Sequence, residues 1–391
     1  MKIATQIVAL VLLAVSASIA IGACGDDPET TPEGEEAGLP DGTVVLPDGA
    51  IIFPDGAVVL TDGGVLLSDG AVVLSDGAVI FPEAGPDGGD DSGMLPDAQP
   101  DANAPETGTS CVGVAATCGG NKDCCASNVV AGGTFNRSSE PGFPATVSSF
   151  KLDVYEVTVG RFRSFVNAGK GTQANPPAAG DGAHPKIAAS GWSATYNAML
   201  PANTATLKVD LKCSAGYPAW TDAPAGNETK PMNCITWFDA FAFCAWDGGR
   251  LPTEAEWNYA AAGGSEQRLY PFGATIDQTK AAYFCSGKGV GQCVFADMLP
   301  VGSKSPAGDG KWGQADLAGN SWEWTLDFAR TPYRLTACVD CADLQSATNR
   351  TFRGGGFPNE DFYQRTSVRL EDIPTDRDYD VGVRCARASG P

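Results

Sequence analysis

The residues able to do chemistry in this 391-residue chain are mainly thirteen cysteines and 47 carboxylates, against a single histidine, His184. Four cysteines crowd into "CVGVAATCGGNKDCC", at Cys111, Cys118, Cys124 and Cys125. Thiolates so close could hold zinc or pair with one another. No histidine lies nearby, and adjacent cysteines beside a Gly-Gly turn read as a stapled module, so two disulfides are expected. His184, before a proline in "DGAHPKI", reads as a surface loop residue. One histidine and no Gly-x-Ser-x-Gly elbow leave no set for serine-nucleophile hydrolysis. "GKGVGQ" lacks the helix and acidic partner of a dinucleotide loop. "RGGGFPNEDFYQRTSVR", from Arg353 to Arg369, combines glycines with three arginines and has no cysteine. Whether it is an active-site loop or a structural wall depends on the elements around it.

The N-terminus carries an export pattern. Lys2 precedes "IVALVLLAVSASIAIGA", an apolar run too short and too oddly flanked for a membrane span. It ends in "IGAC", which resembles the lipobox of bacterial lipoproteins. Residues 1–23 are then a signal peptide, and Cys24 is the lipidated first residue of an exported protein anchored in the bacterial cell envelope. Several acyl chains anchor stably where one does so only marginally. Setting Cys24 aside leaves an even number of cysteines, which in an exported chain reads as disulfides.

The net charge of -21 is unevenly spread. Residues 25–110 hold 19 Asp and Glu and no Lys or Arg, while the rest is nearly balanced. With no basic stripe, no nucleic-acid partner is expected. Within this acidic tether, residues 24–110, an Asp-Gly unit recurs every seven residues, with aspartates at Asp41, Asp48, Asp55, Asp62, Asp69 and Asp76. Each unit pairs a turn signal with β-branched residues and lacks coiled-coil charges. Short strands joined by turns follow, either closing a small β-solenoid or remaining a spacer that never packs. As a flexible coil the tether would span roughly 50 Å. One carboxylate per unit argues against calcium there.

A cysteine-rich module, residues 111–131, leads into a body over residues 132–391 with mixed charge and many aromatics. Three helices are predicted in the body. "TVGRFRSFVNAG" starts at the N-cap Thr158 and stops at Gly169. "TWFDAFAFCAWDGG" runs from Thr236 to Gly248. "TEAEWNYAAAGG" opens on a capping box, Thr253 with Glu256, and ends at Gly263. The rest is short apolar stretches in Gly/Pro/Asn-rich connections, so the fold class is an irregular α+β domain.

At "GRLPTEAEWNYAAAGG" the body begins to resemble one family in detail. "YEVTVGRF" before it, and "YPFG", "DLAGNSWEWTLD", "RGGGF" and "VGVRCAR" after it, are similar to the motifs of the formylglycine-generating enzyme, or sulfatase-modifying factor, domain. The resemblance covers about residues 132–387. "GGTFNRS" and the preceding cysteines also resemble exported myxobacterial lipoproteins of this class. The resemblance implies a variant of the C-type lectin fold. It implies an oxidoreductase that converts a sulfatase cysteine to formylglycine with oxygen and a copper(I) ion held by two thiolates. Those thiolates follow the motif that is "RGGGF" here, yet no cysteine lies between Cys341 and Cys385. Asn359, Glu360, Asp361, Tyr363 and Gln364 stand there instead, and hard oxygen donors do not replace thiolates for copper(I). No copper is expected, nor the iron of branches that use several histidines. Those five residues become a ligand groove for a peptide, glycan or protein.

The resemblance implies further positions. Its disulfide carries over to Cys244 and Cys385, closing a long loop worth about 4–5 kcal/mol. A second family disulfide would fall at Ala261 and near Thr366, where both cysteines are missing. Cys213 with Cys234, Cys285 with Cys293 and Cys338 with Cys341 are local guesses that sequence does not fix. A calcium site maps to Asp316, the carbonyls of Gly319 and Ser321, and Glu323, the oxygen donors calcium takes. The same residues also suit a buried turn. A second calcium site would lie near residues 282–295, where Cys285 and Cys293 stand. The function expected is therefore a non-catalytic binding module, with a formylglycine-type oxidoreductase as the alternative.

Overall fold

The computed structural model describes residues 108–389, apart from 113, 115, 116, 120 and 121, and six residue pairs between Val44 and Ile80. The signal segment and Cys24 lie outside the described residues. The chain divides into two compact units, Met1–Asp97 and Ala98–Pro391.

In the first unit each Asp-Gly repeat contributes one two-residue strand, at Val44–Val45, Ile51–Ile52, Val58–Val59, Val65–Leu66, Val72–Val73 and Val79–Ile80. Each strand starts three residues beyond the aspartate of its repeat. Neighbours pair antiparallel in chain order, as in Val44 with Ile52 and Val45 with Ile51. This is a meander, which corrects the solenoid expectation. Antiparallel neighbours in chain order need only a short reversal between them, whereas a solenoid coil needs a longer path to bring strands back in parallel.

The second unit is α+β, with short strands and much loop. Its strands are β1 (Ser127–Val130), β2 (Gly133–Asn136), β3 (Pro144–Val147), β4 (Phe150–Asp153), β5 (Trp322–Phe328), β6 (Cys338–Val339), β7 (Arg350–Arg353), β8 (Arg369–Asp372), β9 (Val381–Gly382) and β10 (Ala386–Ala388). They form three small sheets, ordered β10-β4-β1, β8-β7-β5-β9 and β6-β3-β2. β5 meets β9 in parallel, as β6 meets β3, and the other pairs are antiparallel. β1, from the end of the cysteine module, pairs along the whole of β4. The module thus joins a sheet of the body.

The helices are α1 (Val159–Asn167), α2 (Thr204–Asp210), α3 (Trp237–Trp246) and α4 (Glu254–Ala261). The caps read from sequence are made: Thr158 accepts from the Arg161 N–H, and Thr253 exchanges bonds with Glu256. α3 has a capping box too, Thr236 with Asp239. α2, capped by Asn203, was not among the predicted helices. It is short, and its apolar residues are too few to show a period. α3 is apolar almost all round because it runs through the core. There Phe162 stacks on Phe243, and Trp237 meets Phe241 edge to face. A second core of Phe135, Phe150, Trp257 and Tyr259 lies between α4 and the sheets.

All twelve cysteines from Cys111 onward are paired: Cys111–Cys125, Cys118–Cys124, Cys213–Cys234, Cys244–Cys385, Cys285–Cys293 and Cys338–Cys341. Cys244–Cys385 ties α3 to the chain just before β10 across 141 residues. Where the family's second disulfide would fall, Ala261 is buried, and the Asn258 amide donates to the Thr366 carbonyl at 2.8 Å.

Candidate functional site

The segment from Arg353 to Arg369 leaves β7, makes a glycine turn and a short 3-10 turn (Asp361–Gln364), and returns as β8. Gly354 and Gly355 both have φ in the left-handed region, and a Cβ on Gly355 would overlap the Gln364 carboxamide. The turn is held from two sides. Gly319 donates its N–H to the Gly354 carbonyl, and Phe357 donates to that of Asn320. Phe284 and Cys285 donate to the carbonyls of Asn359 and Phe357, so the Cys285–Cys293 loop braces the segment.

The five expected groove residues do not act together. The Asn359 Oδ1 accepts from Trp322 Nε1 at 2.7 Å and from the Gly356 N–H at 2.8 Å. Gln364 is fully buried, and its Nε2 donates to the carbonyls of Gly356 and Glu360 at 3.2 and 3.3 Å. Both side chains hold their own loop, and of their buried polar atoms only the Gln364 Oε1 is left without a partner. Glu360 and Asp361 face solvent, and Tyr363 is half-buried.

Tyr363 does line a groove of about 470 Å³, together with Phe362, Arg365, Val368 and Leu370 on one side and Ser138, Glu140 and Tyr333 on the other. Phe362 is 50% exposed and carries the Arg365 guanidinium 5.1 Å from its ring centre. Sequence reading missed Phe362, Arg365 and Leu370. Two exposed apolar residues beside an arginine were the available signal.

Below the groove is a buried polar hub. Arg353 donates to Glu254 Oε1 at 2.7 Å, to Tyr333 Oη at 2.7 Å and to Ser138 Oγ at 2.9 Å. Arg369 pairs with the same carboxylate at 3.0 Å. The two outer arginines of the quoted segment therefore build the floor.

His184 is buried, which corrects the surface assignment. Its Nε2 lies 3.3 Å from Glu256 Oε1, and its Nδ1 accepts from the Lys186 N–H. Burial works to raise the Glu256 carboxyl, but the Arg250 guanidinium and His184 outweigh it and hold it down at about 2. The partner that draws His184 inward lies 72 residues away on α4, beyond local sequence reading.

The calcium positions converge only in part. Both oxygens of Glu323 are held by Arg384 at 2.6 Å, and Trp257 Nε1 donates to one of them. The Gly319 carbonyl accepts from the Ser321 N–H. Asp316 accepts from the Gly302 N–H, and burial raises its carboxyl to about 6. Glu156, fully buried beside it, is pushed well above its usual value by burial and by Asp316, and its Oε1 has no hydrogen-bond partner. A hard cation fits the oxygen donors of Asp316 and Glu156, whose carboxyls burial raises while Arg384 works to lower both. It does not fit Glu323. Among the described residues no three His, Cys, Asp or Glu side chains converge as a cage.

A model of the sulfatase-modifying factor enzyme 1-like domain matches residues 116–389 of this sequence. The chain belongs to that family. The sulfatase-modifying factor domain thus includes most of the cysteine module. The chain is 30% identical over 263 residues to the formylglycine-generating enzyme of Streptomyces coelicolor, covering 61% of this chain and 77% of that protein. The Bos taurus formylglycine-generating enzyme is 27% identical, over 63% of this chain and 67% of its own. The Bos taurus inactive C-alpha-formylglycine-generating enzyme 2 is 29% identical, with 63% and 79% covered. Among solved structures, PvdO from Pseudomonas aeruginosa is 23% identical, with a TM-score of 0.46 over 66% of this chain and 93% of that one. The relatives of this domain thus include proteins named as active and as inactive enzymes.

Proposed function

We propose that this sulfatase-modifying factor domain binds a partner without oxidising it, in an exported protein held to the cell envelope through a lipid on Cys24. The observation that carries the reading is the state of the cysteines. All twelve described ones are in disulfides, and the segment where copper-binding thiolates would sit is held by Asn359 and Gln364 instead. Copper(I) needs soft thiolates, and neutral amides do not substitute. Six disulfides also suit an oxidising compartment. A groove with an exposed aromatic beside that segment supports recognition.

The alternative is a formylglycine-type oxidoreductase, favoured by the relatives that bear that name. The test is copper analysis of the purified protein, with oxygen uptake on a cysteine-containing sulfatase peptide. The binding reading expects neither bound copper nor aldehyde product, and formation of the aldehyde overturns it. For the anchor, Cys24→Ala is expected to release the protein from the membrane fraction, and retention there counts against lipidation.

The proposal extends to calcium. Asp316, Glu156 and nearby backbone carbonyls would hold it, and it would favour the ionised form of two carboxyls that burial raises. Glu323 serves Arg384 instead.

A further inference from the structure

Among the described residues, Arg365 is the one arginine whose guanidinium makes no hydrogen bond and no ion pair. The other thirteen are tied down. Arg161, Arg384 and Arg387 hold carboxylates in the core, Arg353 and Arg369 share Glu254, and even Arg137 and Arg350, which lack a carboxylate, donate to backbone carbonyls. Arg365 is half-buried in the groove wall, and its Nε is fully shielded from solvent with no acceptor. The Nε atoms of Arg250, Arg330 and Arg350 also lack an acceptor, but those side chains are held through their terminal nitrogens, whereas the terminal N–H groups of Arg365 are left for an acceptor that arrives with a ligand.

The surroundings narrow the ligand. Arg365 lies over Phe362, and Val368 and Leu370 continue an apolar wall, with Leu370 38% exposed. A carboxylate would meet the guanidinium fork, and an apolar side chain would lie along that wall. β8, which carries Arg369 and Leu370, is the terminal strand of its sheet, so among the described residues one side of its backbone has no strand partner. An extended chain can pair with such an edge. Glu140 on the opposite wall is exposed and turns away a second carboxylate.

We infer that the groove takes an extended peptide segment in which one Asp or Glu lies next to an aromatic or large aliphatic residue, with the carboxylate on Arg365. This rests on the binding reading above and names its ligand class. Apolar walls and a free strand edge favour a peptide over an acidic sugar, which needs polar donors along its ring.

The probe is a displayed library of random linear peptides selected on the full protein, followed by calorimetry with one enriched sequence. Enrichment of Asp or Glu beside an aromatic or Leu is expected. Arg365→Gln, or Asp→Asn in the peptide, should weaken binding at least about tenfold. Phe362→Ala should weaken it too. Because Arg365 makes no internal bond, Arg365→Gln should keep the wild-type melting temperature, which separates lost binding from lost folding. Equal binding by Arg365→Gln overturns the inference. So does a library that yields no acidic motif, or Arg365-dependent binding of a polyuronate oligosaccharide alone. That last result would leave the binding reading standing, whereas copper-dependent oxidation of a sulfatase peptide would sink the binding reading itself, with this inference resting on it.

Discussion

At the scale of single residues, the domain buries charge in matched sets. Arg384 and Glu323 are fully buried and meet through two 2.6 Å bonds. Arg384→Met removes one half and leaves the other unpaired, which costs about 3–5 kcal/mol. Urea denaturation should show that loss, and an unchanged midpoint would mean that Glu323 finds another partner. Asp380 behaves in the opposite way. Burial first, then Asp378, raises its carboxyl from 3.8 to about 7. The folded state therefore keeps a proton that the unfolded chain gives up. The stability from Asp380 is full below the unfolded value and is lost as pH rises through about 7, at up to about 1.4 kcal/mol per pH unit. Asp380→Asn should abolish that dependence, so its melting-temperature gain over wild type should grow as pH rises from about 5 to about 7 and level off above it. A constant difference would refute the assignment. These partners were invisible in sequence. Arg384 and Glu323 lie 61 residues apart and His184 and Glu256 lie 72 apart, with only the fold to join them.

At the scale of elements, local chemistry was legible where it was local. Thr158, Thr236 and Thr253 each cap the helix expected of them, because a cap and its target N–H are three residues apart. Thr253→Ala should destabilise the domain by about 1 kcal/mol in denaturant titration, and a neutral effect would show that Glu256, held by Arg250, suffices alone. Asn359 and Gln364 could be placed on the right segment but not given the right role. Their direction depends on a turn that Gly354 and Gly355 set and on Trp322, which comes from another strand. The long link Cys244–Cys385 should matter more than any cap. Replacing both cysteines with serine removes a constraint worth about 4–5 kcal/mol in the chain-entropy picture, measurable against the wild-type unfolding midpoint.

At the scale of the whole molecule, the fold class was readable because six motifs occur in order, while the meander of the first unit was not, since one turn signal serves both solenoids and hairpins. The calcium proposal belongs here because it concerns net charge in a closed interior. Chelation with EGTA should lower the melting temperature, and calcium alone should restore it. Asp316→Asn should remove the response, and an unresponsive wild-type protein would count against the ion.

The start of the described second unit also has a mechanical meaning. Ser110 donates its N–H to Asp247 at 2.7 Å and accepts from Arg161, and Arg387 of the last strand reaches the same Asp247 at 2.6 Å. The start of the described second unit and its last strand are thus clamped by one buried charge cluster, with Cys111–Cys125 directly behind it. A pull applied at Ser110 meets that clamp before it meets any sheet of the second unit. Once the clamp yields, the disulfides cap how much chain can be drawn out. In single-molecule stretching the body should give a high first rupture followed by a short extension, and Asp247→Ala should lower the rupture force without lengthening the extension.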